Sequence, residues 1–139
     1  MRELLIYVVD DDMDERFFIE RAFDSFKYKF NLEVSSFFHG KHLIDALNEK
    51  STPLPGLILM DLNMPVMNGF ETLEALKKTS GLNTIPVIIH SSVKTEDSRK
   101  KCMALGAAKV VTKPGNMLEY PSVLKELVFE QIHLIGIKA

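Results

Sequence analysis

Asp10, Asp11 and Asp12 stand side by side directly after the apolar run Leu4–Val9, and Asp61 follows the apolar run Leu57–Met60. His90, Ser91 and Ser92 follow Val87–Ile89, while Lys113 and Pro114 follow Val110-Val111-Thr112. If these four loops meet, they place several carboxylates, a hydroxyl and a lysine in one shallow pocket. Carboxylates at close range raise one another's pKa or recruit a cation. All-oxygen ligation favours a hard ion. Mg2+ suits it, keeping several waters and using one or two carboxylates plus a phosphate oxygen, and Mn2+ accepts similar ligands. A lysine opposite such a cation completes a clamp for a phosphoryl group. A carboxylate nucleophile there would form an acyl phosphate.

The four loops meet only if the apolar runs are strands of one sheet. Short, continuous apolar runs rich in β-branched residues suit strands buried on both faces. A fifth strand, less cleanly patterned, is expected around Leu32 to Phe38. Helical stripes lie between them: Phe18, Ala22 and Phe26; Leu43, Ala46 and Leu47; Phe70, Leu73 and Leu76; Ser98, Cys102 and Leu105; Leu124, Leu127, Val128 and Ile132. Gly81 and Gly106 stand where helices stop, and Pro53, Pro55, Pro86 and Pro114 mark the joins. Five strands alternating with five helices predict an α/β fold, a doubly wound five-stranded parallel sheet of (βα)5 type. Ligands of such sheets sit beyond the carboxyl ends of the strands, where all four loops fall.

Four blocks, Tyr7–Asp12, Leu59–Gly69, Pro86–Ser92 and Val111–Pro114, resemble in order and spacing the signature blocks of two-component response-regulator receiver domains. The resemblance covers nearly the whole chain and implies the flavodoxin-like receiver fold. Asp61 resembles the phosphoacceptor, and Asp10 and Asp11 the acidic pair, Asp11 ligating Mg2+ directly and Asp10 through water. Asn63 resembles the residue whose backbone carbonyl ligates the metal, Ser91 the hydroxyl that bonds the phosphoryl group, and Lys113 the lysine that pairs with it. Pro114 resembles the proline that follows a cis peptide. The implied donor is a histidine kinase or a histidine phosphotransfer protein. A stand-alone, chemotaxis-regulator-like receiver is implied, similar also to receivers encoded with bacterial phytochrome kinases. That last likeness suggests a homodimer through the face made by the fourth helix, fifth strand and fifth helix. Three positions depart from the family pattern: Val110 replaces a switch aromatic, Gly115 a large apolar residue, and Val93 a polar one. The apolar Val93 is expected to lengthen the life of the phosphoryl group, and Val110 to leave switching to the loop from Ser92 to Glu96.

Composition narrows the alternatives. The 139 residues, 46% hydrophobic and 26% charged, suit one globular domain over 1–139, with no effector domain and output through docking to another protein. A net charge of −2 disfavours direct nucleic-acid binding. One cysteine, no signal-like N-terminus and no apolar run of membrane-spanning length predict a cytoplasmic protein. A haloacid-dehalogenase-like phosphatase would need a second aspartate two residues after the nucleophile, where this chain has Asn63. A flavin module would not place three aspartates in its phosphate loop. The domain is therefore expected to take up phosphate without turning over an external substrate.

Other residues read as structural. Asp12 is an N-cap, Cys102 is core, His90 packs at a strand end, and His39 and His42 are surface residues. Lys27-Tyr28-Lys29 is a solvated helix end. The pairs Phe17-Phe18 and Phe37-Phe38, with Phe23 and Phe26, are packing aromatics. The apolar stretch Ile132–Ile137 finishes a packed helix or docks on the domain rather than anchoring the chain.

Overall fold

Leu57–Met60 offers neither neighbouring layer a polar side chain, and all four residues are buried as a central strand, β3. The computed structural model describes residues 3–92 and 95–134. Its strands are β1 (Leu4–Val9), β2 (Leu32–Phe37), β3 (Leu57–Met60), β4 (Val87–Ser91) and β5 (Lys109–Thr112). Its helices are α1 (Met13–Asp24), α2 (Lys27–Phe30), α3 (Gly40–Leu47), α4 (Gly69–Lys78), α5 (Glu96–Ala104) and α6 (Tyr120–Leu134), with a 3-10 turn at Met117–Glu119. All strand pairs are parallel, in the order β2-β1-β3-β4-β5, so the α/β expectation holds.

Alternation along each strand feeds two apolar layers. Ile6, Val8, Leu59 and Ile88 share one with Phe23 of α1 and with Tyr120, Leu124 and Val128 of α6. Val9, Ile58, Met60 and Ile89 share the other with Leu43 of α3, Leu73 of α4 and Cys102 of α5. Register then fixes the site. Val9 pairs with Met60, so Asp10 and Asp61 leave the sheet side by side. Ser91 pairs with Thr112, which brings Lys113 to the same edge.

Several local features differ from the sequence expectation. The first helical stripe does not run through Phe26. Phe26 has φ −140° and ψ −1°, and α2 is a separate turn closed by Asn31 in the left-handed region at φ 55°. The chain therefore has six α-helices among the described residues rather than five. β4 runs two residues past Ile89, so His90 and Ser91 end the strand instead of following it. No peptide bond among the described residues is cis, so Lys113–Pro114 is trans, the isomer favoured by about 0.5–1 kcal/mol in an X–Pro bond.

Phe17, Phe18 and Phe38 are exposed, unlike the buried Phe23, Phe26 and Phe37. Arg21 lies over the Phe17 ring and Arg16 over Phe38, so cations rather than the core cover those two rings. His39 and His42 are half-buried cap residues rather than plain surface ones. His39 Nδ1 accepts the His42 N–H and His42 Nδ1 accepts the Phe38 N–H. Gly106 behaves as expected. At φ 102° it closes α5 in a Schellman arrangement, with Gly106 N–H donating to Met103 and Ala107 N–H to Cys102. Val93 and residues 135–137 lie outside the described residues.

Candidate functional site

Asp10 is held from three sides. Its own N–H donates to Phe37, its Oδ1 accepts the Asp12 N–H at 2.9 Å, and its Oδ2 accepts Lys113 Nζ at 3.1 Å. Its carbonyl takes a 2.6 Å bond from Arg16 Nη1, a contact six residues along the chain that no sequence motif announced. Asp12 caps α1, accepting from the Asp14 and Glu15 N–H groups, as expected.

Asp61 donates its N–H to Val9, and its Oδ1 accepts the Leu62 N–H at 2.7 Å. Lys113 Nζ reaches Asp61 Oδ2 at 3.3 Å and so bridges both carboxylates. The turn beyond Asp61 folds back tightly, with Gly69 N–H donating to Leu62. A Cβ at Gly69 would lie 2.6 Å from the Asp61 carbonyl, so only glycine fits there. Asn68 and Glu71 form a capping box that starts α4 next to it.

Burial governs the electrostatics. It pushes the Asp10 carboxyl up to about 6, with the Asp61 charge adding to the rise against the Asp12 N–H and Lys113. Burial likewise raises Asp61, opposed by Lys113 and by the Leu62 and Asn63 N–H groups. Burial alone would lower Lys113, but the charges of Asp10 and Asp61 outweigh it and lift the ammonium above its ordinary value. One cation thus faces a surplus of anionic groups. Asp10, Asp11 and Asp61 can bring one oxygen each within 4.8 Å of one another, a donor set that fits a hard divalent cation.

Ser91 is buried at the end of β4, its carbonyl accepting the Lys113 N–H at 2.9 Å. Asn63 is exposed two residues beyond Asp61, with its N–H directed at the Asp61 carboxylate. The structure therefore gathers Asp10, Asp11, Asp61, Asn63, Ser91 and Lys113 at one edge of the sheet.

Two residues that the sequence did not single out border this cluster. Tyr120, completely buried at the start of α6, donates its O–H to Glu15 Oε2 at 2.5 Å. Its ring meets His90 edge-on at 5.5 Å. Burial, with a smaller push from Lys113, drops His90 to about 3, so it packs as a neutral ring. Nothing in a lone glutamate and a tyrosine 105 positions apart signals that they meet.

The response regulator receiver domain family matches residues 6–125. The chain belongs to that family. It is 31% identical over 123 residues to the chemotaxis protein CheV2 of Helicobacter pylori, covering 88% of this chain and 38% of that protein. It is 30% identical over 109 residues to the two-component response regulator ORR3 of Oryza sativa, covering 78% and 79%. The chain thus spans little more than a third of the chemotaxis relative.

The phosphorylated cyanobacterial phytochrome response regulator RcpA superposes with a TM-score of 0.83 at 25% identity, covering 91% of each chain. The Mn2+-bound response regulator Rcp1 gives 0.81 at 23% identity, covering 89% of this chain and 91% of that one. The receiver fold and a place in two-component signalling follow for this receiver domain. No helix among the described residues is long and apolar enough to cross a membrane.

Proposed function

We propose that Asp61 of this receiver domain is its phosphoacceptor, charged from a phosphohistidine on a histidine kinase or a histidine phosphotransfer protein. The observation that carries this reading is the Lys113 ammonium shared between Asp10 and Asp61 at the register-matched ends of β1, β3 and β5. The P–N bond of the donor breaks as a P–O bond to the Asp61 carboxylate forms, and the histidine, already protonated on its other ring nitrogen, keeps the P–N electron pair and leaves as neutral imidazole. Lys113 then pairs with the transferred group, and the Ser91 hydroxyl bonds to it.

Asp10, Asp11, Asp61 and the Asn63 carbonyl would hold Mg2+, or Mn2+ in its place. The cation supplies the positive charge that lets a phosphoryl group approach three carboxylates. Asp10 already accepts from Asp12 and Lys113 through its two oxygens, whereas Asp11 is exposed, which supports Asp11 as the direct ligand. Titration with magnesium should show Asp11→Asn weakening binding more than Asp10→Asn.

The domain assists its own phosphorylation without turning over an external substrate. It works in the cytoplasm and signals by altered docking to an output protein. Its homodimer uses the face of α5, β5 and α6. Transfer from purified phosphorylated histidine kinases of the host tests the reading. One donor should label the wild type and leave Asp61→Asn unlabelled, and equal labelling of both would refute it.

A further inference from the structure

Glu15 is a fourth carboxylate at the rim of the site. It sits in the first turn of α1, five residues after Asp10, and its charge contributes to lifting Lys113. A glutamate on that turn has two attractive partners: the Lys113 ammonium, and the phenol of Tyr120. The structure shows the second pairing, with the Tyr120 O–H on Glu15 Oε2 and Lys113 on Asp10 and Asp61.

Tyr120 is well made for holding that choice. Its side chain is buried to the last ångström, set against the His90 ring and within the layer formed by α1, α6 and the sheet. Its ring is packed in that layer, which leaves the hydroxyl little freedom to follow the glutamate if it moves. A buried phenol also loses a hydrogen bond at full cost if Glu15 leaves, which biases the carboxylate towards it.

We propose that Tyr120 is a positioning residue for phosphoryl transfer: its O–H holds the Glu15 carboxylate away from Lys113 and leaves that ammonium to Asp10 and Asp61. The inference rests on the reading of Asp61 as phosphoacceptor. Without the phenol O–H, Glu15 turns towards the Lys113 ammonium, Lys113 is drawn off Asp61, and phosphoryl uptake slows.

The test is the rate of Mg2+-dependent labelling by acetyl phosphate, followed by intact mass, for the wild type, Tyr120→Phe, Glu15→Gln and the double variant. Tyr120→Phe should slow labelling about tenfold, the scale of one hydrogen bond to a charged group. Glu15→Gln alone should stay near the wild-type rate, because it keeps an acceptor for Tyr120 and carries no charge to Lys113. The double variant should return to the wild-type rate, because the competing carboxylate is gone. A purely packing role for Tyr120 would leave the double variant as slow as Tyr120→Phe.

Thermal unfolding of all four proteins shows whether each is folded at the assay temperature. Should Tyr120→Phe be unfolded there, Glu15→Gln decides, and a tenfold loss in it would overturn the proposal. Wild-type labelling at Asp61 with Tyr120→Phe equally fast would overturn the proposal while leaving the phosphoacceptor in place. Absence of any labelling at Asp61 in the wild type would overturn the phosphoacceptor reading itself.

Discussion

The mouth of the sheet and the cleft beside β5 lie only a few residues apart and are built differently. At the mouth, Asp10, Asp61 and Lys113 are each fixed by backbone contacts and by one another, and Asp10 and Asp61 are almost wholly buried. Beside β5, Val110 borders an open cleft of about 480 Å³ with Leu62, Thr95, Arg99 and Thr112 around it. The neighbouring α5 buries only Cys102. The chemical half is thus held rigidly against its own electrostatic cost, while the half through which a receiver would signal is loosely filled. Mouth and cleft are thus held by different contacts.

Changes at the mouth should have the largest effects. Lys113→Ala removes the cation shared by two buried carboxylates and should cost about 3 kcal/mol in urea unfolding at pH 8, the scale of breaking a buried ion pair. The loss should shrink at pH 5, because carboxyls whose pKa lies above the ordinary value then take up protons. A pH-independent loss would mean that Lys113 acts through packing.

Asp10→Asn should act in the opposite direction. The folded carboxyl titrates near 6 against an ordinary value of 3.8. Between those values the folded state binds a proton that the unfolded chain does not, so the group's contribution falls as pH rises through the window. Above it, the charged Asp10 destabilises the metal-free fold by up to about 3 kcal/mol. The asparagine variant should therefore be more stable than the wild type at pH 7.5 without metal. Mg2+ should stabilise the wild type and, because Asp11 and Asp61 remain, the variant by a smaller margin. Equal metal-free stability would show that the carboxylate is not under strain.

A smaller effect is expected in the turn after Asp61. Val66 is exposed and β-branched yet has φ 67°, and Met67 N–H donates to Pro65 across it, closing a strained three-residue turn. Val66→Asn should gain about 1 kcal/mol in thermal unfolding, since asparagine tolerates the left-handed region. No gain would mean that the valine side chain makes up the difference elsewhere.

The cleft should respond least. Val110→Tyr adds a ring where there is room for one and should shift stability by no more than about 1 kcal/mol, with phosphoryl uptake unchanged. In the wild type, beryllofluoride should move amides around Ser91 and Ser98 while the Val110 methyls stay nearly still, because a β-branched side chain has one favoured χ1. A large Val110 rearrangement would dissolve the separation between mouth and cleft.

Much of this was readable from residue order. Leu4–Val9 and Leu57–Met60 are strands because each is a continuous apolar run, and their following aspartates met because parallel strands share an edge. What the sequence could not show depends on single contacts. Phe26 continues an apolar stripe on paper, but its backbone turns away, which splits α1 from α2. Phe17 and Phe38 have the composition of core, yet arginines cover them at the surface. His39 and His42 stand at a spacing that suits capping as well as exposure, and only the backbone geometry distinguishes the two. The trans Lys113–Pro114 bond departs from a family habit rather than from any local signal. The Glu15–Tyr120 bond joins α1 to α6 and leaves no trace in the sequence of either.

The most direct test of the phosphoacceptor reading is chemical mapping of the acyl phosphate. The protein is treated with acetyl phosphate with and without Mg2+, reduced with borohydride, digested and sequenced by tandem mass spectrometry. Reduction converts a phosphorylated aspartate to homoserine. Homoserine is expected at position 61 in the sample with Mg2+ and not in the one without. Homoserine at another aspartate, or an equal yield at position 61 without the metal, would contradict it.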